Sequence, residues 1–265
     1  MSQEDLFMIQ KIREKSPRIH AITNIVTAND CANLILAAGG SPTMASDLRE
    51  AAEMTAQCQG LILNMGAVSQ LDSMLEAGRE AAAMGNPIVL DPVGAGATEL
   101  RRKSCLKIVK ELPVDVICGN ASEIRSMAEG TKSLSGVDTL AADSISEANM
   151  QKHIEIAKKL NKRTGAIVAM SGVIDLVVQG ERFELIRGGS SYSTRITGAG
   201  CMLTALIAVF LAAKVTDEFS AVIGAMSCMK RCSERAEIKT EASGGGTMVY
   251  RMHLIDEVSL EGGIS

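Results

Sequence analysis

The apolar positions of the chain fall into two regimes. In the first, four short runs at 60–64, 87–91, 114–118 and 166–170 are apolar without clean alternation. That is the pattern of strands buried on both faces. Helical patterns separate and flank them at about 69–85, 98–111, 121–129 and 145–161. The alternation predicts an α/β fold, with a mostly parallel central sheet and helices on both faces. Right-handed crossovers then set the strand C-terminal ends along one edge, where open α/β sheets bind ligands. In the second regime, 174–178 and 182–186 flank Gly180 and Glu181 and predict an antiparallel hairpin. Three long helical stretches follow at about 201–213, 217–238 and 244–257. No internal repeat or Pro/Ser-rich linker interrupts the pattern, so residues 1–265 are expected to form one domain.

Charge and cysteine usage narrow the class. The net charge of −4, with the two signs interspersed, argues against a nucleic-acid binder held by a basic face. The seven Cys are odd in number and irregularly spaced, with no CxxC pair. A disulfide framework or zinc knuckle is therefore not expected, and a reducing cytoplasm is. Three scattered His argue against a His-based metal site. The first residues, MSQEDLFMIQKIREKSP, carry acids and bases at helical spacing and lack the apolar core of a signal peptide. The most apolar stretch, 201–213, is too short for a bilayer and reads as a buried helix. With no Trp and 15 Met, the core must be packed from aliphatics and Met.

The strand ends carry the candidate chemistry. One run ends in Asn64-Met65-Gly66 and another in DPVGAGAT, with Asp91 at the rim and Gly94 and Gly96 in the turn. A third leads into CGNASEI, with Asn120 and Glu123, and a fourth into Ser171-Gly172. After the hairpin, TGAGC at 197–201 leads into the apolar helix. Any one of these turns has a plain explanation, since Gly suits a turn and Asp, Asn or Ser caps a helix. Five on one edge favour a site for an anionic ligand and a divalent cation. Asn120 and Glu123 have the spacing of a capping box. They would equally serve to hold water around Mg²⁺ with Asp91, and spacing alone does not choose. In TGAGC, the glycines let backbone N–H groups converge at the positive end of a helix, a cradle for a transferred phosphoryl group. The loop is neither GxGxxG nor a P-loop.

In this order, DPVGAGAT, GNASEI and TGAGC resemble the hydroxyethylthiazole kinases of thiamine salvage, in the ribokinase-like superfamily. ITN at 22–24, AN at 32–33, GGSPTMA at 39–45 and LNMG at 63–66 extend the resemblance over nearly the whole chain. It implies a ribokinase-like layered fold and ATP-dependent phosphorylation of the primary alcohol of 4-methyl-5-(2-hydroxyethyl)thiazole, with Mg²⁺. It also implies a homotrimer with active sites between subunits. By the same resemblance, Met44 and Gly198 contact the thiazole, with Asn24 near it. Ser171 belongs to the nucleotide site, Asp91 and Glu123 surround metal and phosphates, and Cys201 occupies the catalytic-base slot; Asn120 and Gly200, on the same predicted edge, are expected at the nucleotide site as well. One departure stands out: Cys118 occupies a position where the family has an ATP-contacting Arg, and a neutral thiol cannot make that charge-assisted contact. Arg125 lies two helical turns on. Ile25 stands where many members carry a polar residue. Sibling kinases of pyridoxal-like or hydroxymethylpyrimidine substrates mostly carry Asp at the Cys201 position. A non-catalytic nucleotide binder and a thiol enzyme using Cys201 are the remaining readings.

Overall fold

The computed structural model describes residues 3–130, 145–146 and 148–263. The N-terminal third supplies α1 (Gln3–Lys15), β1 (Arg18–Ile22), α2 (Ala28–Ala37), β2 (Ser41–Thr43) and α3 (Ala51–Thr55). Next come β3 (Gly60–Asn64), α4 (Leu71–Ala83), β4 (Ile88–Asp91), α5 (Glu99–Glu111), β5 (Val116–Asn120) and α6 (Ala121–Glu129). The remainder is α7 (Met150–Thr164), β6 (Ile167–Ser171), the hairpin β7 (Asp175–Gln179) and β8 (Arg182–Ile186), then α8 (Ala199–Ala212), α9 (Glu218–Ala242) and α10 (Thr247–Leu260). The strands form one sheet in the order β2-β1-β3-β4-β5-β6-β7-β8. Neighbours from β2 to β6 pair in parallel, and β7 and β8 close the far side antiparallel.

Each central strand is divided between two cores by its alternating side chains. Leu61, Leu63, Leu90 and Ile117 face a core that includes residues of α4 to α7. Ile62, Val89, Val116 and Cys118 face the opposite core with α8, α9, α10 and α2. Helix α8 packs against the sheet on one side and against α2 and α9 on the other. It therefore has no solvent face over most of its length, and every residue from Met202 to Ala212 is buried. Among the described residues, no helix is long and apolar enough to cross a membrane.

The expected βα alternation and hairpin are present, and α6 has the expected bounds. Some boundaries move. A 3-10 turn, Met65–Gln70, precedes α4, because the Asn64 side chain accepts the Gly66 N–H and turns the chain at the strand end. Helix α9 runs on to Ala242, and α10 begins only at Thr247, after a glycine turn containing Gly244 (φ 64°). The helix expected from 145 begins at Met150, and residue 147 lies outside the described residues. Strands β1 and β2 add to the four-run pattern. β1 contains the buried His20, whose ring bridges Thr55 Oγ1 and the Ala45 carbonyl, each at 2.7 Å. β2 is three residues long with Pro42 at its centre, as an edge strand tolerates.

Candidate active site

Following the sheet order from β2 to β6, the C-terminal ends bring Met44, Asn24, Asn64, Asp91, Asn120 and Ser171 to one edge. Neighbouring strands are about 4.8 Å apart, so the row is a continuous rim. Helix α8 starts above its centre. Its N-cap is Gly198, at φ 86° and without a side-chain cap. The first backbone bond of the helix runs from Met202 N–H to the Gly198 carbonyl at 2.8 Å. The N–H groups of Ala199, Gly200 and Cys201 are thus donors without intrahelical acceptors. A Cβ at Gly198 would stand 2.6 Å from Thr27 Cγ2, so glycine is required by conformation and by the approach of the 24–27 loop.

Cys201 meets the rim through two asparagines. Asn64 Nδ2 lies 3.2 Å from Cys201 Sγ and 2.6 Å from Asp91 Oδ2. Asn24 Oδ1 accepts the N–H groups of Val26 and Thr27, which fixes the amide in an Asx turn. Its Nδ2 then reaches Asn64 Oδ1 at 3.1 Å and Cys201 Sγ at 3.6 Å. Burial pushes the Asp91 carboxyl up to about 7, against hydrogen bonds from Cys201, Thr204, Asn64 and the Val93 N–H that favour its anion. Burial, then the charge of Asp91, raises Glu123 to about 8. Burial, then the same charge of Asp91, pushes the Cys201 thiol well above its ordinary range. The residue at the expected base slot therefore stays a thiol at neutral pH, and its hydrogen-bonded neighbour Asp91 has a near-neutral pKa.

The capping box of α6 is complete. Glu123 N–H bonds Asn120 Oδ1 at 3.0 Å, and Glu123 Oε2 accepts the Asn120 N–H at 3.0 Å. The other oxygen, Oε1, accepts the Gly94 N–H at 2.9 Å and pins the DPVGAGAT turn beneath the rim. Glu123 thus organises two loops while its charge couples to Asp91.

On the β5–β6 side of Cys201 the rim opens into a cavity of about 520 Å³. Asn120, Ser171, Ala199 and Gly200 face it, together with Val173, Leu203 and Met229. Three of the four residues expected at the nucleotide end therefore share one cavity. Cys118 does not line it: its side chain is buried in the core beneath α8, beside Thr204. Met44 lies half-buried on the rim beyond Asn24, packed against the same core. Sequence reasoning named Asn64 as a strand end but gave it no role, and it did not single out Thr204 and Thr27, nor the ion pair of Asp175 and Lys230 on the cavity wall, at 3.1 Å. Asn64 carried the same signal as Asp91, a polar residue closing an apolar strand. Thr204 is one helical turn from Cys201.

The chain is similar to known proteins along nearly its whole length. Hydroxyethylthiazole kinases from Clostridium acetobutylicum and Thermoanaerobacter pseudethanolicus are each 39% identical to the chain, over 94% and 95% of it and 92% of each relative. The structure of the hydroxyethylthiazole kinase protein from Pyrococcus horikoshii OT3 superposes with a TM-score of 0.84 at 31% identity, covering 97% of this chain and 93% of that one. A Bacillus subtilis pyridoxal kinase, solved as an ADP complex, shares the fold at 16% identity with a TM-score of 0.58, covering 82% and 92%. The profile of the hydroxyethylthiazole kinase family matches residues 9–261, and the chain belongs to that family.

Proposed function

We propose that the chain is a single-domain, cytoplasmic kinase of thiamine salvage. It transfers the γ-phosphoryl group of ATP to the primary alcohol of 4-methyl-5-(2-hydroxyethyl)thiazole. One observation carries this reading: the cavity, the free N–H groups of α8 and the Asn24–Asn64–Asp91–Cys201 cluster lie consecutively on one sheet edge. ATP occupies the cavity past Ser171, Asn120 and Gly200. The alcohol lies at the Asn24, Gly198 and Met44 end, with its hydroxyl at Cys201. The N–H groups of Ala199 to Cys201 face the charge that develops on the phosphoryl oxygens.

Asp91 and Glu123 suit Mg²⁺. They are hard oxygen donors, both buried, and each held high in pKa in a way that a nearby cation would relieve. They would hold the ion with water between, and the ion supplies charge neutralisation at the phosphates. Asn64 orients the Asp91 carboxylate and the Cys201 thiol. Asp91 is the group able to hold the alcohol's proton. Because phosphoryl transfer passes through a loose transition state, positioning carries more of the rate than base strength.

The homotrimer, with active sites between subunits, belongs to the same proposal. It is supported by Ile25 and Val26, apolar and exposed beside Asn24. Sedimentation should give a mass of three chains. A coupled assay with ATP, Mg²⁺ and a panel of small alcohols tests the activity. Thiazole-dependent ADP release is expected, and turnover only with pyridine or pyrimidine alcohols would overturn the assignment.

A further inference from the structure

We infer that Lys230, Ser233 and Glu234 of α9 are positioning residues that set nucleotide affinity by holding both loop walls of the cavity. The inference rests on the nucleotide reading of that cavity. The three residues stand at i, i+3 and i+4, on one helix face. The Lys230 ammonium donates to the Gly172 carbonyl at 2.8 Å and the Val173 carbonyl at 3.1 Å, and pairs with Asp175 Oδ1 at 3.1 Å. The same Asp175 oxygen accepts the Gly172 N–H at 2.8 Å, so the turn carrying Ser171 is held from both sides. Ser233 Oγ donates to the Lys230 carbonyl at 2.7 Å and accepts the Ser190 N–H at 3.1 Å. Glu234 Oε1 accepts the Gly189 N–H at 2.7 Å.

The opposite wall is shaped to take these bonds. Gly188 and Gly189 both have positive φ, at 96° and 92°. A Cβ on Gly188 would stand 2.4 Å from Glu234 Oε1, and one on Gly189 2.6 Å from Lys230 Cδ. Two consecutive glycines therefore let the loop lie directly on this helix face. Gly172, Val173, Asp175 and Gly188 to Ser191 all line the cavity, as do Lys230 and Ser233. The Lys230 ammonium has three protons and three protein acceptors, so its work is to order the walls before a nucleotide arrives.

The test is calorimetric titration with ADP alone, beside steady-state kinetics in ATP and in the thiazole alcohol. Lys230→Met and Glu234→Ala are expected to weaken ADP binding and raise the KM for ATP roughly three- to tenfold, the effect of freeing a few ordered groups. The KM for the alcohol should stay within about twofold. Glu234 is exposed, so its variants test the idea even where Lys230→Met folds poorly. Glu234→Gln keeps a carbonyl acceptor and should restore wild-type ADP affinity. Wild-type ADP affinity in Glu234→Ala would overturn the inference while leaving the nucleotide reading intact. So would a parallel loss of alcohol affinity, or no rescue by Gln. Failure of the wild-type protein to bind ADP would overturn both.

Discussion

Asn64 and Asp91 are register partners at the ends of adjacent parallel strands, and the Asn64 amide donates to the Asp91 carboxylate at 2.6 Å. The same nitrogen lies 3.2 Å from Cys201 Sγ. One neutral side chain thus fixes the orientation of an acid and a thiol that have little solvent to orient them. Asn64→Ala should lower kcat roughly 10²-fold, the loss usual for a preorganised donor at a charged site. Removing a bond to the anion should also move the acid limb of the kcat–pH profile upward. A profile unchanged in height and position would sink this role.

The two buried carboxyls make a prediction about stability. Asp91 is raised to about 7 and Glu123 to about 8. The folded state therefore holds these protons more tightly than the unfolded chain. Their stabilising contribution is complete below the ordinary carboxylate range and is lost as pH rises through about 7 and about 8. The Tm of the nucleotide-free protein should fall over this interval. Asp91→Asn, which cannot ionise there, should flatten the fall while abolishing most activity. Calorimetric Tm measured across that pH range decides it: parallel curves for variant and wild type would rule the linkage out.

Legibility in the sequence followed the range of the interactions involved. Asp91, Asn120 and Ser171 were legible because each closes or closely follows a run whose burial is written locally, and parallel topology does the rest. The α6 capping box was legible because both partners lie within one turn. β1 was obscure because the partners that satisfy His20, Thr55 and Ala45, are distant along the chain. The clamp of Lys230 on Asp175 and Gly172 joins α9 to the β6–β7 turn and leaves no periodic trace. TGAGC announced a helix start, but not that burial and Asp91 would suppress the acidity of its thiol.

That suppression separates Cys201 from a base. Cys201→Ala should lose only about tenfold in kcat, whereas Asp91→Ala should lose roughly 10²- to 10⁴-fold, the range associated with a general base. Cys201→Asp should gain no rate. A second carboxylate beside Asp91 repels the first and is itself held protonated. Single-turnover rates at saturating ATP isolate the chemical step. A faster Cys201→Asp enzyme would show that basicity at this position had been limiting.

Cys118 separates sequence resemblance from geometry. The resemblance implies an ATP-contacting Arg at this position, and the thiol that stands there lies in the core beside Thr204 and outside the cavity. Its burial pushes the thiol far above its ordinary range, so it supplies no charge to a nucleotide. The cavity wall instead draws its order from Lys230, on a different element. Cys118→Ala should therefore act on stability, lowering it on the order of 1 kcal/mol through lost packing. The KM for ATP should move by less than about twofold. Thermal unfolding and ATP kinetics on the same variant separate the two effects. A large rise in KM with unchanged Tm would return Cys118 to the nucleotide site.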